Sequence, residues 1–425
     1  MRILAVIEQS EVIDLPVPST CLRADTHRQA VDREDPDAPG PLARPLDRRA
    51  APKINSYHFI GEFFSVEIQT RTVERIKKVE LHQHLDGSIP LRTTWRLMRE
   101  HGLNPVPTLR EMRRLLQLQA SEEGSLLSYL DKFHYPLWIT QFYENIQRVT
   151  YDIVEEAYAH GVRLLELRYS PAIHTFGGLT LHQAIRAVFS GINASLRRHT
   201  DLEAGVIIIS MRQHGPHIAK IIARQSLAEA QHLHERSGVV GFDLAGAERG
   251  NPPHLFRDAY EIARRGGLGL TVHAGEDEGP EFIWEAIDLL GADRIGHGCS
   301  AVRDRKLLKR LARDRVLVEC CLTSNYQTGA VERGAPHPIY TFLEHGIPVA
   351  VCTDNTTVSA TDQTRENRLL LDRLSLKEIE AIHREAADHS FVRKVPFFAD
   401  RGRRLAARPT SIPRRGSSRS SRACP

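Results

Sequence analysis

Eight apolar, strand-like runs recur along the chain, and helix-patterned stretches fill the intervals between them. The runs are KKVELHQHL, RLLELRYSP, AGVIIISM, VVGFDLAG, LGLTVHAGE, RIGHG, VLVECCLTSN and PVAVCTDN. Between them lie amphipathic patterns such as LTLHQAIRAVFSGINASLRRH, HLFRDAYEIARRGG and EFIWEAIDLLG. Several of these stop at glycine, the usual helix terminator. A short, repeated strand–helix unit calls for parallel strands joined by crossover helices. Eight such units predict an α/β fold, a closed (β/α)8 TIM barrel, and the chain exceeds the ~250 residues such a barrel needs. The long interval after the first run is mostly helical in pattern and is expected to sit over the barrel mouth as an insertion. An open doubly wound sheet is the runner-up. It would want a glycine-rich phosphate loop after an early strand, and neither GxGxxG nor a P-loop occurs.

Composition divides the chain into three zones. Residues 1–72 are rich in Pro, Arg and Asp and lack sustained periodicity; the stretch from Asp32 to Pro52 reads as disordered or as a linker. Within that zone, YHFIGEFFSVEI (Tyr57 to Ile68) is a candidate extra strand. The regular pattern occupies residues 73–393, and residues 394–425 are an Arg-rich, low-complexity tail. Eight arginines lie between Arg401 and Arg422, and no acid follows Asp400. Setting those eight charges aside turns the net +4 into −4, so the body is mildly acidic and charge gives no case for nucleic-acid binding. No apolar run approaches the ~20 residues that span a bilayer. The N-terminus meets acidic residues too early for a good secretory signal, so a cytoplasmic location and no membrane partner are expected. Cys299, Cys320, Cys321 and Cys352 fall in or beside apolar runs without regular spacing, which suits small buried residues better than disulfides or a paired zinc site.

Polar residues end these strands. The first run ends in His82 and His84, with Asp86 just beyond; the fourth in Gly246; the fifth in His273 and Glu276; the sixth in His297; the eighth in Asp354 and Asn355. In a TIM barrel the C-terminal strand ends converge on one pocket. His82 and His84, two apart on a strand, point the same way. An HxH pair among 21 histidines is weak by itself. With His273 and Asp354 it becomes three imidazoles and a carboxylate, a set that favours zinc over iron or another divalent ion. Glu276 by itself reads as a first-turn acid, and His297 as a buried core histidine. At converging strand ends both become candidates for proton transfer.

Taken in order, VELHQHLDGSI, RYSP, DLAGAE, HAGE, RIGHG, CLTSN and TDN resemble the adenosine deaminase family of the amidohydrolase superfamily. The resemblance implies one zinc ion held by His82, His84, His273 and Asp354. It implies that Glu276 protonates purine N1, and that His297 orients and deprotonates the attacking water, with Asp354 also near it. Gly246 would bring its backbone to purine N3, and Asp86 would bond the ribose 5′ end. Leu126, Leu130 and Phe133, within SLLSYLDKF, look like the apolar lid helix or plain helix packing. Many members carry Asp where this chain has Asn355. Purine N7 is an acceptor, and an amide already supplies the N–H donor that an Asp must be protonated to offer.

The resemblance therefore implies hydrolysis of adenosine, and of deoxyadenosine, to inosine and ammonia. The alternative substrate is a 5′-modified adenosine such as 6-amino-6-deoxyfutalosine, used in menaquinone synthesis. AMP is disfavoured, because Asp86 would repel a 5′-phosphate. Both ends of the chain depart from the family, and the basic tail stands where a closing helical segment is usual. That motivates a rival reading, a rearranged barrel that binds metal or nucleoside without turnover. A cytidine-deaminase scaffold is discarded: His383 and Glu385 supply HxE, but no PCxxC exists.

Overall fold

The computed structural model describes residues 73–231 and 234–394. The expectations for residues 1–72, including the Tyr57–Ile68 strand, and for the tail beyond Lys394 lie outside these residues. Among the described residues, eight strands form one sheet in sequential order: β1 Lys78–His84, β2 Val162–Tyr169, β3 Glu203–Met211, β4 Val239–Ala245, β5 Gly269–Ala274, β6 Arg294–His297, β7 Leu317–Cys320 and β8 Val349–Val351. Every neighbouring pair is parallel. The sheet closes where β8 meets β1: the backbone N–H of His84 donates to Asp354 O at 2.7 Å, and that of Asp354 to His82 O at 2.9 Å. The chain is thus a (β/α)8 barrel, as the eight-fold sequence pattern predicts.

The helices follow from local signals. Leu181–Arg198 and Leu376–Asp388 each open with a capping box, Thr180 with Gln183 and Ser375 with Glu378, which satisfies first-turn N–H groups. Tyr143–Ala159 ends at His160 and is followed by Gly161 at φ 89°, a conformation that suits glycine. Five helices between Leu91 and Ala159 form the insertion between β1 and β2. Leu, Ile and Val from strands and helices form one continuous core in which most side chains are at or near zero exposure. One sequence boundary shifts. VLVECCLTSN reads as a single strand, but β7 stops at Cys320 and Leu322–Thr328 is helical. Buried Glu366 accepts the Thr323 N–H and hydroxyl, capping that turn and ending the extended segment.

A charged layer crosses the barrel interior. Arg168 on β2 donates to Asp243 on β4 (2.9 Å) and Glu319 on β7 (2.9 Å); Arg294 on β6 pairs with Glu166 (2.6 Å) and Glu319 (2.8 Å). Strands β2 and β7 are not neighbours, so these side chains meet only across the interior. All five are fully buried. Burying such charges is costly unless each is paired, and here every one has an opposite charge within hydrogen-bonding distance. Phe391 stacks against Arg294, 3.6 Å from ring centroid to guanidinium carbon. It also packs with Ile207, Val240 and Val392.

Candidate metal centre and deaminase site

The strand ends bring four donor atoms together. His82 Nε2 and His84 Nε2 are 3.1 Å apart, as are His84 Nε2 and His273 Nε2. Asp354 Oδ1 lies 3.3 Å from His84 Nε2 and 3.7 Å from His82 Nε2. The charged layer orients two of these rings. His82 Nδ1–H donates to Glu319 at 2.7 Å, and His273 Nδ1–H to Asp243 at 3.0 Å. A carboxylate can only accept, so in each neutral ring the proton sits on Nδ1 and Nε2 presents a bare lone pair to the cluster. Burial, reinforced by Arg168 and the neighbouring imidazoles, pushes His82 well below the usual histidine range. Burial and His273 do the same to His84. Neutral, converging lone pairs beside a carboxylate oxygen repel one another unless a cation lies among them. The donor set therefore fits a divalent metal ion.

Proton-transfer groups border this cluster. Glu276 Oε2 is 3.6 Å from His297 Nε2, and the two side chains are 8% and 2% exposed. Burial, then the Asp354 and Glu248 carboxylates, raise Glu276 well above the ordinary carboxylate range, which favours its protonated form. Glu248 in turn accepts backbone N–H groups from Gly275 (2.7 Å), Asp277 (3.1 Å) and Glu278 (2.8 Å), fixing the turn that carries Glu276. His297 and Asp354 both have positive φ, 64° and 61°. Left-handed backbone at non-glycine residues costs on the order of 1–3 kcal/mol and collects at functional sites.

The remaining sequence candidates distribute as follows. Gly246, just past β4, has φ 98°, and a Cβ there would come within 2.4 Å of Gln213 Oε1. Asn355 Nδ2 donates to Asp354 Oδ1 at 2.7 Å, and its own Oδ1 is buried without a partner. Asp86 Oδ1 sits 2.8 Å from His174 Nε2, while His174 Nδ1–H donates to the Thr140 carbonyl at 3.1 Å. The two side chains, both buried, face each other beside the end of β1. Leu126 lines a cleft of about 350 Å³ together with Leu127, Glu276, Ser300 and Arg303. Leu130 does not line it, and Phe133 packs on the cluster of Leu118, Tyr129 and Val358.

Several supporting residues carry no role in the sequence reading. Tyr129, between Leu126 and Phe133, sends its hydroxyl to Ser359 (2.7 Å) and to Asp354 (3.4 Å). Ser324 donates to Asp354 Oδ2 at 2.5 Å, and Asn325 donates to His297 Nδ1 at 2.9 Å. Glu319, Asp243, Arg168 and Arg294 announce themselves only as charges inside otherwise apolar strand runs. His383 is structural: it accepts the Val79 N–H and contacts Asn367, far in sequence from any site residue.

A sequence-family model for adenosine deaminase matches residues 77–396. The chain belongs to the adenosine deaminase family. It is an aminohydrolase, and family members are metal-dependent amidohydrolases. An adenosine deaminase from Shewanella loihica is 35% identical over 321 residues, covering 75% of this chain and 95% of that protein. A probable adenosine deaminase from Dictyostelium discoideum is 34% identical over 326 residues, covering 76% of this chain but 41% of that longer protein. Among solved structures, adenine deaminase from Arthrobacter aurescens superposes with a TM-score of 0.68 at 26% identity, covering 78% of this chain and 99% of that one. The N6-methyl-AMP deaminase from Arabidopsis thaliana gives 0.67 at 26% identity, covering 79% and 99%. Among the described residues no helix is long and apolar enough to cross a membrane.

Proposed function

We propose that this aminohydrolase removes the 6-amino group of adenosine, and of deoxyadenosine, to give inosine or deoxyinosine and ammonia. The reading is carried by one observation: the Nε2 atoms of His82, His84 and His273 converge with Asp354 Oδ1 beside the buried pair Glu276 and His297. Zinc, favoured by three imidazoles and a carboxylate, would supply an acidified water at neutral pH when bound there. Glu276 donates its proton to purine N1, which makes C6 electrophilic. Water adds to C6, and its proton passes to one of the two groups that face it, His297 or Asp354. Collapse of the C6 adduct then breaks the C6–N bond: the proton taken from water passes to the amino group, which leaves as ammonia, and the C6 hydroxyl proton returns to Glu276. Each proton transfer contributes about 10²–10⁴ in rate.

The remaining residues position the substrate. Asn355 has a second amide hydrogen beyond the one given to Asp354, and that hydrogen serves purine N7. Gly246, without a side chain, leaves its backbone open to the purine edge. The Asp86 carboxylate accepts a hydrogen bond from a free 5′-hydroxyl and repels a 5′-phosphate. A 5′-modified adenosine such as 6-amino-6-deoxyfutalosine differs only beyond C5′ and is the alternative substrate.

The test is parallel deamination of adenosine, deoxyadenosine, methylthioadenosine and 6-amino-6-deoxyfutalosine, with metal analysis of the same sample. Adenosine is expected to be the best substrate, seen as the ultraviolet shift of inosine formation. No ammonia from any of the four with metal bound sinks the proposal and favours a barrel that binds without turnover.

A further inference from the structure

His297 is held from behind by a chain of hydrogen bonds that ends on a group of fixed polarity. The backbone N–H of Ile339 donates to His337 Nδ1 at 3.1 Å. A backbone amide cannot accept there, so neutral His337 carries its proton on Nε2. That Nε2–H faces Asn325 Oδ1 at 3.1 Å, which makes the amide oxygen the acceptor. Asn325 Nδ2–H then points at His297 Nδ1, 2.9 Å away. Turning the amide over would press Asn325 Nδ2–H against His337 Nε2–H, two buried donors face to face. His297, Asn325 and His337 are 1%, 0% and 2% exposed, so water does not relieve such a clash. Burial lowers His337 to about 3, which keeps it neutral and the chain of donors one-directional.

We propose that Asn325 and His337 are positioning residues that lock His297 as its Nε2–H tautomer, so that His297 meets the attacking oxygen as a hydrogen-bond donor and does not take its proton. This rests on the reading above, in which His297 faces the water. It deepens that reading by deciding between the two groups that face it. The O–H bond of water breaks with its proton going to the Asp354 carboxylate, and the His297 N–H holds the oxygen in line with C6. The Asn325 and His337 side chains act through one ring, that of His297.

The deciding experiment is long-range 1H–15N correlation on the zinc-loaded full chain labelled with 15N-histidine, with the His297 signals identified by their loss in H297Q. The expected wild-type pattern is a protonated Nε2 and a bare Nδ1. Asn325→Asp replaces the amide donor by an oxygen of nearly equal size. It should move the proton to Nδ1 and lower kcat by roughly 10²–10⁴-fold, the range for proton-transfer and hydrogen-bonding groups, with KM for adenosine and zinc content held. A wild-type ring bare at Nε2 overturns the proposal, as does a folded N325D enzyme with undiminished kcat. If N325D does not fold, the wild-type spectrum decides alone. Deamination by a ring protonated at Nδ1 refutes the relay and leaves the deaminase reading standing. A ring protonated at Nε2 in a protein that deaminates nothing supports the relay and removes that reading.

Discussion

Glu319 offers a sharp test of how the charged layer supports the metal centre. Three donors and one further charge converge on its two oxygens: His82 Nδ1 at 2.7 Å and Arg168 Nη2 at 2.9 Å donate to Oε2, the Thr271 hydroxyl at 3.1 Å donates to Oε1, and Arg294 Nε forms an ion pair with Oε1 at 2.8 Å. Glutamine has one acceptor oxygen. If that oxygen stays on His82 and Arg168, the new NH2 faces Arg294, which keeps Glu166, and Thr271, whose hydroxyl turns to accept. One contact with a charged group, the Arg294 ion pair, is lost, about 1.5–3 kcal/mol. The opposite orientation loses two, roughly twice as much, and is disfavoured. Glu319→Gln should therefore destabilise by about 1.5–3 kcal/mol while His82 keeps its acceptor and zinc affinity changes less than tenfold. Glu319→Ala strips all three donors and the ion pair. It should cost roughly 3–5 kcal/mol, the range for breaking a buried ion pair, and weaken zinc binding by about 10–100-fold, as loss of a group behind a ligand does. Urea unfolding of the metal-free variants and zinc titration against a competing chelator measure the two effects. Equal zinc affinities for the Gln and Ala variants, or stabilities both within about 0.5 kcal/mol of wild type, would refute the orientation argument.

Other outcomes follow from the same geometry. Glu276→Gln should lower kcat/KM by about 10²–10⁴-fold with zinc content unchanged. Because Glu276 must be protonated to act and its carboxyl is raised, wild-type kcat/KM should fall as pH rises through that raised value; an unchanged rate in the variant removes its role as the acid. Glu366, fully buried and raised to about 7, stabilises the fold while protonated. That contribution is fully present below its unfolded value of about 4.5 and is lost as pH rises through 7, on the order of 3 kcal/mol. Glu366→Gln should flatten the difference in urea midpoint between pH 5 and pH 8, and a variant with the full wild-type difference would assign it elsewhere. Asn355→Asp sets a second carboxylate against Asp354 Oδ1, so one of the two must hold a proton. Its activity relative to wild type should be greater at pH 6 than at pH 8, and a constant ratio would contradict this.

Architecture was more legible in the sequence than support. Strand-by-strand apolar runs, each closed by a polar residue, gave the barrel and put His82, His84, His273, Glu276, His297 and Asp354 at one end of it. That step needs only periodicity and the rule that barrel strand ends converge. The groups behind those residues were harder to see. Glu319 and Arg168 meet across the interior from β7 and β2, and no spacing in the sequence links them. Their one local trace is a charge in a run such as RLLELRY or VLVECC. Tyr129 was hidden by a helix pattern that drew attention to its apolar neighbours, although its hydroxyl is the part that reaches Asp354. The end of β7 was misplaced because Leu-Thr-Ser-Asn continues a plausible strand. A cap from Glu366, more than forty residues later, turns it into helix.

The seam between the last strand and the first has a consequence for engineering. Asp354 both contributes an oxygen to the donor cluster and, through its backbone N–H and C=O, stitches β8 to β1. Assembly of the centre and sealing of the cylinder are one event, so a chain lacking that last stitch would have neither. New termini made by circular permutation should be tolerated at the outer loops of other repeats and should destroy both properties together when cut between Val351 and Asn355.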